Sequence, residues 1–144
     1  MASYGTLAAS TLVLVLGSVV PTGPAFGQAA QDTLAVTLHA VGNSGVSGSA
    51  VLRASGRETD FDYSLTATDQ ARQRQEYDVW LREGTCAAPG RKLDDLDEVR
   101  ADGRPEQEDE EVALSDLLAT DHVLQVRVED RDEVVACGAI RRDS

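Results

Sequence analysis

Asp60-Phe61-Asp62-Tyr63-Ser64-Leu65-Thr66-Ala67 alternates polar and apolar residues without a break. Successive side chains of a β-strand point to opposite faces, so Phe61, Tyr63, Leu65 and Ala67 share one face and the polar residues share the other. Helical spacing would scatter those four apolar residues around the axis. The stretch predicts a strand with one side in a core and the other in water. Working outward, Leu34, Val36, Leu38 and Ala40 alternate with Ala35, Thr37, His39 and Val41, the turn Gly42-Asn43-Ser44-Gly45 follows, and a second strand runs from Val46 to Ala54. Downstream, Tyr77, Val79 and Leu81 alternate with Asp78, Trp80 and Arg82, and Leu124, Val126 and Val128 with Gln125, Arg127 and Glu129. Arg131-Asp132-Glu133 turns the chain into a last run, Val134 to Ile140. Short alternating strands joined by Gly and Asp turns predict an all-β antiparallel sandwich or barrel.

Between Ala87 and Glu111 the alternation fails, and the stretch holds Pro89, Gly90, Gly103, Pro105 and a dense acidic run. It reads as a long loop in which Leu93, Leu96 and Val99 make one buried edge. Val112 to Leu118 reads as a helical turn.

The N-terminus has a different character. Leu7 to Val20 is apolar or small, with Leu12-Val13-Leu14-Val15-Leu16 at its centre, and Pro21, Gly23 and Pro24 interrupt it. Ala25-Phe26-Gly27 and Gly27-Gln28-Ala29 offer small residues for cleavage. A bilayer-spanning helix needs about 20 apolar residues, so this shorter run reads as a secretory signal peptide over residues 1–29. No Lys or Arg precedes the run, which departs from the usual pattern, and no cysteine follows it for a lipid anchor. Residues 30–144 then form one domain, secreted to the extracellular space or cell envelope, with no membrane contact in the mature form.

All 25 acidic and 13 basic residues fall in that domain, which carries the net charge of −12. Nucleic acid and anionic membrane surfaces are therefore poor partners. Lys92 is the one lysine beside twelve arginines, a bias expected of a GC-rich bacterial genome. Cys86 and Cys137 are the two cysteines, and in an oxidising compartment they are most simply one disulfide.

The order of these signals resembles the copper/zinc superoxide dismutase family, a Greek-key β-sandwich. The first hairpin with its glycine-rich turn, the strand Tyr77-Asp78-Val79-Trp80-Leu81 followed by Cys86, the pair Asp121-His122 before a late strand, and above all Ala136-Cys137-Gly138-Ala139-Ile140 carry the likeness. It covers most of residues 34–140. The chordin-type β-domain has a similar pattern without the closing cysteine motif. The resemblance implies a Greek-key antiparallel sandwich or barrel with Cys86 bonded to Cys137.

The resemblance also implies where chemistry is missing. The family's copper strand carries two histidines where this chain has Asp78 and Trp80, and its guiding arginine falls at Val134. An indole nitrogen has no lone pair to give a metal. The chain has only His39 and His122, neither at a ligand position. No cofactor, no catalytic residue and no dismutase activity is expected.

Other chemistry is weak. His122 beside Asp121, with Ser115 nearby, lacks a nucleophile elbow and reads as a solvated residue at a strand start. His39 reads as a surface residue. The acidic runs Asp94–Glu98 and Glu106–Glu111 lack the spacing of a dedicated calcium loop. Trp80, with Asp78 and Arg82 on the same side of its strand, marks the candidate binding face for an extracellular protein or ligand, unless it packs under the 87–111 loop. Two functions remain: a secreted non-enzymatic binding or structural module, or a metal-binding protein with a reduced copper or calcium site built from Asp78, His122 or loop carboxylates.

Overall fold

A computed structural model describes residues 32–142. The segment read as a signal peptide lies outside the described residues. Eight antiparallel strands make up the fold: β1 Thr33–Ala40, β2 Val46–Ser55, β3 Glu58–Ala67, β4 Glu76–Gly84, β5 Pro89–Arg100, β6 Asp102–Glu110, β7 His122–Val128 and β8 Val134–Ile140. Two short helices punctuate them, α1 Gln70–Arg74 and α2 Leu114–Ala119.

Where alternation predicted a strand, it also decides the strand's faces. Phe61, Tyr63 and Leu65 of β3, Tyr77, Val79 and Leu81 of β4, and Leu124, Val126 and Val128 of β7 all turn inward and are buried. Leu34, Val36 and Leu38 complete the core from β1, and Leu114 and Leu117 of α2 join it. Burying a side chain of this size contributes about 1.5–3 kcal/mol, so this cluster dominates the stability. At the β2–β3 hairpin, only Gly56 and Arg57 separate the strands. Gly56 has φ +68°, as a tight turn that matches strand twist demands of its first residue.

The strands lie in the order β5-β4-β7-β8-β1-β2-β3-β6, and the sheet curls into a nearly closed barrel. Its two edges, β5 and β6, have no backbone ladder between them. Side chains span the gap instead. The Tyr63 hydroxyl donates to the Asp97 carbonyl (2.8 Å), and the Asp97 N–H donates to the Glu108 carboxylate.

The 87–111 stretch is therefore not a long loop; nearly all of it is β5 and β6. In β5, Val99 and Leu96 oppose Tyr77 and Val79 in the core, with a register shift between these two pairs that breaks the sequence period, and Asp94 takes the next core-side register position, opposite Leu81, but is exposed. In β6, Glu110, Glu108 and Glu106 oppose Thr59, Phe61 and Tyr63. This strand presents glutamate to the core side and is held through its backbone pairing to β3.

Candidate functional site on the outer face of the sheet

Pairing register carries one row of outward-facing residues across five strands: Asp95 on β5, Trp80 on β4, Gln125 on β7, Cys137 on β8 and His39 on β1. The disulfide closes on this row. Cys86, in the turn after β4, is bonded to Cys137, with Cα atoms 5.9 Å apart.

Trp80 is the centre of the face. The Arg127 guanidinium lies 4.2 Å from the ring centroid, the Lys92 ammonium 4.3 Å and the Arg82 guanidinium 6.0 Å. A desolvated cation over an indole face is worth roughly 1–2 kcal/mol. Each cation has a further partner. Lys92 pairs with Asp95 at 2.7 Å, Arg127 pairs with Asp132, and Arg82 donates to the Gln125 amide oxygen (2.9 Å) and to the Gly90 carbonyl. Arg127 is only 6 % exposed. Its Nε–H and the Trp80 Nε1–H are both buried without an acceptor. The stack stabilises the face through ring–cation attraction and burial while leaving two donors unpaired, which costs free energy.

Asp78 sits one step along β4, opposite Arg127 in register. Burial pushes its carboxyl above the ordinary carboxylate range, and Asp95 and Asp130 add to that, against a weaker pull from Lys92 and Arg127. The structure thus brings Asp78, Trp80 and Arg82 onto one face, as their alternation required. Lys92, Gln125 and Arg127 complete it from neighbouring strands. The signal for the last two was their polar register in β7; nothing in the sequence placed Lys92, the one lysine, on this face.

His122 departs from expectation. It is 8 % exposed rather than solvated, because the turn from α2 folds over it. Its Nδ1 lies 3.0 Å from the Leu117 carbonyl and 3.1 Å from that of Thr120, so this nitrogen carries the proton and donates. An imidazole committed to backbone carbonyls through Nδ1 is not positioned by Asp121 as a catalytic base would be. His39 is exposed, as expected. Both histidines border a groove of about 450 Å³ along β1 and β8, together with Thr85, Cys86, Asp121 and Arg141.

A hard cation has a different candidate place. The carboxylate oxygens of Glu76, Glu98 and Glu129, from β4, β5 and the end of β7, lie within 4.8 Å of one another. Repulsion from Glu98 is the main cause that raises the Glu129 carboxyl. Arg100 already pairs with Glu76 at 2.8 Å. Of these three, only Glu98 belongs to the acidic runs singled out in the sequence. Comparison with protein-family models, with curated proteins and with solved structures finds no match to this chain.

Proposed function

We propose that this chain is an exported, non-enzymatic β-sandwich of the superoxide dismutase-like, Greek-key type, serving as a binding or structural module at the cell exterior. The topology supports it. After β4, β5 and β6 the chain returns as β7 to lie beside β4, as the fourth strand of a Greek key lies beside the first, with β5 and β6 as the two edges that a closed barrel would bring together. The Cys86–Cys137 bond joins the same two places that the resemblance implied, and suits an oxidising compartment.

The observation that carries the non-enzymatic reading is the Trp80 stack. The family's copper histidines would stand at positions 78 and 80. Here a carboxylate and an indole occupy them, and the Arg127 guanidinium lies against the indole. A redox copper site needs imidazole donors, and a fixed cation on the same face opposes a second one. The residues do not fit copper. What the face offers a partner is the Asp78–Trp80–Arg82 edge with Lys92 above the ring. A superoxide assay with added copper and zinc tests this reading. Activity no greater than that of free copper is expected; activity well above it, abolished by Asp78→Ala, would overturn the reading.

A second reading has one observation behind it. The Glu76–Glu98–Glu129 cluster has the oxygen donors that calcium prefers. Calorimetric titration with calcium separates the two: stoichiometric heat lost in Glu98→Gln favours a cation-binding protein.

A further inference from the structure

The seam between β5 and β6 is where the barrel stays unclosed, and its chemistry is one-sided. On the core side of β6 stand Glu106, Glu108 and Glu110. The facing strand offers Asp94 at the core-side position opposite Leu81, with Asp97 further along. Glu110 is the deepest of these, only 7 % exposed. Among the described residues, no Lys, Arg or His forms an ion pair with Glu110, Glu108 or Asp94. A buried carboxylate with no cation is strongly disfavoured, and two facing carboxylates cannot both stay charged at contact distance.

The surroundings of Glu110 give no other relief. β4 supplies Leu81, and β5 supplies Leu93 and Asp94. Lys92 on β5 draws on Asp94 from a distance but is itself paired to Asp95. β3 supplies Thr59, whose hydroxyl donates to the Val112 carbonyl, and Tyr63, whose hydroxyl goes to Asp97. Glu108 precedes Glu110 on its own strand and Glu111 follows it.

We propose that the Asp94–Glu110 end of the β5/β6 seam, beyond the Tyr63–Asp97–Glu108 bridge, is latched by a shared proton: Glu110 holds it and donates to the Asp94 carboxylate, and loss of that proton unlatches this end of the two strands. Burial, with the Asp94 bond and the charges of Asp94, Glu108 and Asp97 added, pushes the Glu110 carboxyl up to about 8, while the bond it donates lowers Asp94. The sign follows. The closed seam binds a proton that the open seam releases at an ordinary glutamate value. The opening constant therefore rises by up to about tenfold per pH unit between roughly pH 5 and pH 8, and then levels.

The test is amide hydrogen exchange of the oxidised, mature protein from pH 5 to pH 9, corrected for intrinsic rates, with the Glu110 carboxyl followed by carbon NMR. Protection over residues 93–97 and 108–110 should fall through that window while the β1–β2 hairpin keeps its own. Glu110→Gln, whose amide can still donate to Asp94, should hold its protection across the range. Should that variant fail to fold, Asp94→Asn serves: its amide donates to an ionised Glu110 and the repulsion from Asp94 is gone, so only the burial of Glu110 still opposes its ionisation and the fall in protection should be smaller than in the unmodified protein. Flat protection in the unmodified protein, or the same fall in both variants, overturns the latch. So does loss of protection at pH 6 on adding EDTA, which would assign the closure to a bound cation.

Discussion

Replacing both cysteines by alanine asks how much of the stability is covalent. The Cys86–Cys137 bond closes a loop with a sequence separation of 51, which includes β5, β6, β7 and part of β8. The chain-entropy relation gives about 4 kcal/mol for a loop of that length at 25 °C. Native-state losses should be small by comparison. The turn beyond β4 is anchored without the sulfurs: the Gly84 N–H donates to the Asp121 carbonyl at 2.8 Å, and Thr85 and Ala88 bond each other through their backbones. The effect therefore acts mainly through the unfolded chain. Domains of this size have a total stability of about 5–15 kcal/mol, so removal of the bond takes a large share. Urea unfolding followed by the fluorescence of Trp80, the one tryptophan in the chain, reads the effect directly. With a slope of about 1.5–2 kcal/mol per molar urea, the midpoint should fall by roughly 2–3 M. A fall below about 0.5 M at unchanged slope would refute the entropic reasoning.

Two further substitutions probe the packing. Phe61→Ala empties a site where the ring is 1 % exposed and should cost about 3–5 kcal/mol in the same titration; a loss under about 1 kcal/mol would mean the ring is not a core element. Gly138→Ala would place a Cβ 2.4 Å from the Thr37 carbonyl oxygen, backbone that cannot swing aside, and should cost about 2–3 kcal/mol. An unchanged midpoint there would show that β8 and β1 can move apart without loss.

Four strands, β1, β3, β4 and β7, were legible because one of their faces is apolar and the other is not, and β2 and β8 because turns bound them. For β8 the sequence run and the strand coincide, from Val134 to Ile140. β5 and β6 were hidden for opposite reasons. β5 has inward apolar residues, but its bulges opposite β4 put Leu96 and Val99 three positions apart, a helix-like spacing. β6 has no inward apolar residue at all, and Pro105 reads as a breaker although an edge strand tolerates it. Helix α1 had a readable start: Asp69 caps it by accepting from the Arg72 N–H at 2.9 Å, but five residues leave no periodicity to detect. The candidate face was half legible. Alternation put Asp78, Trp80 and Arg82 together, but the Lys92 and Arg127 contacts depend on the register of three strands, which a single sequence does not encode locally.

The acidic lip of β6 has a consequence for encounters between molecules. A strand with a free edge is a template on which another chain can add a strand, and aggregation starts there. Glu106, Glu108, Asp109 and Glu110 along one edge strand, facing Asp94, Asp95, Asp97 and Glu98 on the other, make that template repel its own copy. Two such edges brought side by side would set like charges opposite one another, and the edge cations Arg91, Lys92, Arg100 and Arg104 are already held in ion pairs. The cost of carrying glutamate on the inside of a small domain is thus matched by a sheet whose two edges, among the described residues, resist extension into a fibre.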